Sequence, residues 1–109
     1  LRLHLRGAGC FDRRTMWIGV GGDKAPLKDL MADCQPDPDM RRRQRAHLTV
    51  ARTGTRTRDP WLLDDHAHAL AIYTGPEFAA DEVLLLESHL GRGRSGGPKY
   101  EVVDRFYLR

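Results

Sequence analysis

Asparagine is missing from this 109-residue chain, and lysine contributes only three of its 18 basic residues. That bias accompanies GC-rich genomes, so the preference for arginine is not read as function. Cysteine is scarce. Cys10 and Cys34 lack the paired spacing of a zinc site and are too few for a disulfide framework, so two reduced thiols in a cytoplasmic protein are expected. Long apolar runs are also missing: Val83–Leu86 is of strand length, well short of the ~20 residues of a membrane helix, and no membrane partner is expected. The first residues do not show the basic-then-apolar pattern of a secretory leader. Leu1-Arg2-Leu3-His4-Leu5 instead alternates like a strand already under way, which suggests a preceding segment.

Acid is missing from one stretch in particular. Residues 41–58 hold seven arginines and no Asp or Glu. Setting them aside leaves 11 basic against 15 acidic residues, a net charge of −4, whereas the whole chain carries +3. Positive charge is thus one local feature on an otherwise acidic protein, as suits a phosphate-bearing ligand.

The patterning predicts ββ-α-β-α-ββ. Residues 1–6 read as a strand broken by Gly7-Ala8-Gly9, and Met16–Val20 as its hairpin partner. Asp23 caps a helix in which Leu27, Leu30, Met31 and Cys34 form one apolar stripe. Ala46–Ala51 is a strand. Asp59-Pro60 starts a second helix with Leu63, Ala67 and Leu70 inward. Glu82–Leu90 and Tyr100–Leu108 are the strands of a closing hairpin around a glycine-rich loop. Hairpins without parallel crossovers imply an α+β fold: an antiparallel sheet with packed helices, in a single domain over residues 1–109.

The segment with chemical content is Arg45-Ala46-His47-Leu48-Thr49-Val50-Ala51-Arg52. Alternation sends Ala46, Leu48 and Val50 toward the core and His47 and Thr49 to the other face. An imidazole and a hydroxyl then stand about 6–7 Å apart along the strand, aimed into one space. Such a pair can hold a phosphoryl group. Thr donates to a non-bridging oxygen and His moves a proton, its unperturbed pKa of ~6.5 lying near operating pH. The same pattern also occurs in plain solvated strands. Strict alternation would put Arg52 on the core face; a bulge would swing it toward His47, where its planar fork can grip phosphate.

His-Leu-Thr-Val-Ala-Arg resembles the second His-x-Thr motif of the 2H phosphoesterases, with the arginine of the bacterial 2′-5′ RNA ligase (RNA 2′,3′-cyclic phosphodiesterase) branch. Leu1–Phe11, Trp17–Val20, Asp81–Ser88 and Tyr100–Leu108 resemble that family's flanking blocks, in order and over nearly the whole chain. The resemblance implies the C-terminal portion of a two-lobed LigT-like fold. It implies an enzyme that opens 2′,3′-cyclic phosphate ends of RNA to 2′-phosphates, or joins RNA ends, by paired histidines without metal or other cofactor. His47 and Thr49 would be catalytic, and Arg52, Arg45 and Arg43 would bind phosphate or RNA. The family uses two His-x-Thr motifs; here there is one, because His4 is followed by Leu5 and Arg6. The first motif is expected upstream of Leu1, and the isolated chain is expected to be a weak catalyst.

Arg41, Arg42, Arg43 and Arg45 before the motif, and Arg56 and Arg58 after it, form either an electrostatic funnel for an oligonucleotide or a solvated loop. His66 and His68 lie two apart on a helix, about 200° around its axis, and cannot share an ion. His89 is read as structural, and Trp17 and Trp61 as core, the alternative being an aromatic at the cleft that stacks a base, for which Phe78 is a weaker candidate. A catalytically dead RNA-binding remnant of the same fold is the alternative function, and the sequence gives no oligomeric state.

Overall fold

The structure is a computed structural model that describes residues 1–41, 43–54 and 59–109. It opens on an antiparallel hairpin, β1 (Arg2–Phe11) with β2 (Thr15–Gly22). Its tight turn is closed by the Arg14 amide donating to the Phe11 carbonyl at 3.0 Å. Asp12 and Arg13 both have positive φ, 50° and 59°. That mirror-image turn matches the right-handed twist of paired strands. The expected break at residues 7–9 does not occur. Gly7, at φ 64°, sits at a bulge between Arg6 and Ala8, and β1 continues to Phe11. Glycine adopts this conformation without a Cβ penalty, so the strand bends there rather than ends.

Helix α1 (Lys24–Cys34) follows β2 directly. Asp23 precedes it but does not cap it with its side chain: its Oδ2 accepts from the Arg2 amide at 2.8 Å. The carboxylate therefore ties the start of β1 to the end of β2. Leu27, Leu30 and Met31 are half-buried as the stripe predicts, but Cys34 is exposed and Ala32 is the buried residue.

Strand β3 (His47–Arg52) joins the edge of β2, and the two-residue β4 (Phe78–Ala79), absent from the sequence reading, joins β1. The sheet order is β3-β2-β1-β4. Helix α2 (Leu62–Ala69) starts later than predicted, because Asp59, Pro60 and Trp61 form a turn in which Asp59 Oδ1 accepts from the Trp61 amide at 2.9 Å. It packs on β1 and β2. Met16, Ile18, Leu63 and Ala67 form the core there, flanked by Leu5, Ala8, Cys10 and Ala51. Each large aliphatic side chain so buried contributes about 1.5–3 kcal/mol.

Leu48, Val50, Trp61 and Leu70 were expected in the core and are not. Leu48 and Val50 are each 49 % exposed on the edge strand of the sheet. Trp61 is 54 % exposed and carries the Arg13 guanidinium 4.4 Å above its ring, a cation–π contact. Leu70, expected inward, closes α2 at its exposed end.

Strands β5 (Glu82–His89) and β6 (Lys99–Tyr107) form a separate antiparallel hairpin, close to the predicted bounds, with a bulge opposite Leu85 and Leu86. Contacts gather the described residues into two compact units, Leu1–Ala79 and Ala80–Arg109. The architecture of the described residues is α+β, with antiparallel sheets and two α-helices.

Candidate functional site

The face of the first sheet opposite α2 carries the candidate chemistry. Directly paired residues of neighbouring strands share a face. Trp17 stands opposite Thr49 and Gly9, and Gly19 opposite His47 and Arg6. His47, Thr49, Trp17 and Arg6 therefore share one surface, while Met16 and Ile18 point to the core. The sheet skips Val50 between the pairs Met16–Ala51 and Trp17–Thr49. This bulge resets the alternation, so Arg52, opposite Thr15, falls on the face of His47 and Thr49.

The His47 imidazole is exposed and set among aromatic rings rather than aliphatic chains. Its centroid lies 5.4 Å from Phe11 and 6.3 Å from Trp17, edge-to-face in both cases. Trp17 lies across Gly9, where a Cβ would come within 2.3 Å of the indole. The absence of a side chain at Gly9 thus gives the aromatic group its seat. His47 Nδ1 is 2.8 Å from the Arg45 carbonyl oxygen. A carbonyl only accepts, so Nδ1 carries a proton, and in the neutral form of the ring the lone pair is on Nε2.

A cleft of about 790 Å³ opens beside His47. Its floor includes Gly19, Arg6, Phe11 and Trp17, and one wall is α1, through Lys24, Leu27, Lys28 and Met31. Arg45 and Gln44 complete the rim beside His47. Among the described residues, four cationic side chains, Arg6, Lys24, Lys28 and Arg45, line this cleft, and no carboxylate does. Its volume falls in the range of ligand sites, roughly 300–1,000 Å³.

The expected site residues divide accordingly. His47 and Arg45 line the cleft; Thr49 and Arg52 share the His47 face beyond its lining. Arg43 is exposed in the preceding loop, outside the lining, and its amide donates to Met40. Arg41 is turned back onto the Gln35 carbonyl at 3.2 Å. Arg42, Arg56 and Arg58 lie outside the described residues. The sequence reading missed Arg6, Lys24 and Lys28. The i, i+4 spacing of the two lysines was visible, but the wall they would face was not. Trp17, read as core, belongs to the site face.

On the second hairpin Glu87 stands opposite Glu101, and His89 Nε2 lies 3.6 Å from Glu101 and 4.0 Å from Glu87. These three residues bring ligand-type atoms within 4.8 Å of one another. Cross-strand register creates the group, so sequence spacing could not reveal it. An imidazolium there would offset two facing carboxylates.

No family model matches the chain, and no curated protein matches it. Among solved structures, the crystal structure of TT0787 of Thermus thermophilus is similar, with a TM-score of 0.60 at 20% sequence identity. The alignment covers 100% of this chain and 61% of that one. The two share a fold, of which this chain spans about three-fifths.

Proposed function

We propose that this chain is the C-terminal portion of a 2H phosphoesterase of the LigT-like fold, with His47 as one of two proton-transfer groups that open RNA 2′,3′-cyclic phosphates to 2′-phosphates. The observation that carries this reading is the imidazole itself. Its Nδ1–H is held by the Arg45 carbonyl, and its Nε2 is left to react beside a cleft lined by cations and no acid. The resemblance of His47-Leu48-Thr49-Val50-Ala51-Arg52 to the family motif supplies the substrate class.

In this reaction water attacks phosphorus, the P–O3′ bond breaks and the 2′ ester remains. One imidazole takes the proton of the attacking water, and another gives a proton to the departing 3′ oxygen. Each such group contributes about 10²–10⁴-fold. His47 Nε2 can serve in either role according to its protonation. The Thr49 hydroxyl and Arg52 guanidinium, brought to the same face by the register and the Val50 bulge, would stabilise the charge developing on the phosphoryl oxygens. Trp17 and Phe11 offer ring faces on which a base can stack. The proposed site is cytoplasmic in setting and needs no metal.

The test is binding and turnover with an RNA dinucleotide carrying a 2′,3′-cyclic phosphate end. The chain should bind it, turn it over slowly, and lose turnover by about 10²-fold or more as His47→Ala. Equal turnover by wild type and His47→Ala would overturn the reading. Binding without turnover in either protein would point to the RNA-binding remnant instead.

A further inference from the structure

We propose that Arg6, Lys24 and Lys28 form a second phosphate subsite, so that the ligand of this cleft carries a phosphodiester next to its terminal cyclic phosphate. The inference rests on the phosphoesterase reading and extends it to residues outside the His-x-Thr motif.

Three observations carry it. First, Lys24 and Lys28 lie one turn apart on α1, so their side chains leave the helix on the same side. Both line the cleft with Leu27 and Met31. Second, Arg6 and His47 flank Gly19 on the sheet floor, one strand to either side. Two strand spacings put their backbones about 10 Å apart, wider than one phosphoryl group spans. Gly19 adds no side chain between them. Third, the lining holds no carboxylate, and Arg6, Lys24 and Lys28 have no ion-pair partner among the described residues. A cleft lined by charge of one sign attracts an anionic ligand. A cleft of about 790 Å³ also has room for more than one phosphate.

The arrangement divides the labour by position. His47 and Arg45 meet the terminal phosphate at one end of the cleft. Arg6 and the two lysines meet the phosphodiester that links the last two nucleotides. Lysine and arginine recognise such a group through its charge, without reading the base.

The experiment compares two probes on the full chain by calorimetry: adenosine 2′-monophosphate, and the dinucleotide ApA with a terminal 2′-phosphate. The wild type should favour the dinucleotide by at least about tenfold. In the double variant Lys24→Gln/Lys28→Gln that preference should collapse below about threefold, and Lys24→Arg/Lys28→Arg should restore it. Both lysines act on the one phosphodiester of the probe, so their removal should also lower the salt slope of dinucleotide binding by at most about 0.7, the value per neutralised phosphate on single strands. Far-UV circular dichroism checks that α1 still forms. An equal affinity for both probes in the wild type, or a preference that survives the double substitution, overturns the subsite. Should the wild type bind neither probe, the phosphoesterase reading falls with it. Should the preference collapse as expected while His47→Ala leaves turnover intact, the subsite stands and the catalytic role of His47 does not.

Discussion

At the scale of single residues, the candidate site depends on what is small as much as on what reacts. Gly9 gives the Trp17 indole its seat, and Trp17 in turn packs against His47 and Phe11. Gly9→Ala would place a methyl group 2.3 Å from the ring and force it off the strand. Overpacking of this kind costs about 1–3 kcal/mol. Denaturant melts should register that loss, and tryptophan fluorescence should shift. An unchanged spectrum would mean that the ring does not lie over Gly9. Cys10 offers a second prediction. Partial burial pushes its thiol above the ordinary value of 9.0, with a smaller contribution from a hydrogen bond to Asp64. A raised thiol pKa favours the neutral form in the folded state. The associated stability is complete below the unfolded pKa and is lost as pH rises through the folded one. Stability should therefore decline above about pH 9, and less so in Cys10→Ala. The exposed Cys34 should be alkylated well before Cys10 at neutral pH, as a mass-spectrometric time course would reveal.

At the scale of elements, α2 is the cover that makes the sheet two-sided. Leu63 is 6 % exposed and sits against Met16 and Ile18. Leu63→Ala should cost about 2–5 kcal/mol, a large share of the stability of so small a core, and a midpoint shift in urea would measure it. The hairpin and the helix were each legible in the sequence, and Leu63 and Ala67 obey the helix period, but which face of β2 the helix covers was not: Trp17 was read as core where Met16 and Ile18 fill it. The closing hairpin was legible too, its two runs being separated by glycine-rich residues 91–97. Other features were not. Gly7 reads as a breaker, yet a glycine in a strand can equally mark a bulge, and only pairing with β2 decides between them. Leu48 and Val50 read as core, because alternation states which side a residue faces but not whether anything covers that side. The turn at Asp12-Arg13 lacks the usual Asn-Gly or Asp-Gly signal. The motif itself, His47-Leu48-Thr49, could be read directly. Its partners Arg6, Lys24 and Lys28 come from other elements, and their convergence depends on register and on where α1 lies.

At the scale of the whole molecule, the structure divides into a unit with a core and a hairpin without one. Every residue named as buried core belongs to Leu1–Ala79, and no residue of Ala80–Arg109 is fully buried. A two-stranded hairpin is marginal on its own in water. Trypsin should therefore cut at Arg92 or Arg94, in the exposed loop of this hairpin, before it cuts at any site in β1 or β2. Peptide masses from an early digest would contradict this if Arg6 were cleaved first. Charge is just as unevenly spread, with the arginine-rich stretch and the cleft cations lying in the first unit. The strand that bears His47 and Thr49 is also the outermost strand of its sheet. It is laced to β2 along one side only. The amide hydrogens on its far side therefore have no ladder partner among the described residues and meet solvent directly. In heavy water those hydrogens will be replaced by deuterium while the amides bonded between β1 and β2 still hold their protons. A nucleotide that seats against this strand and slows its exchange would report its own arrival.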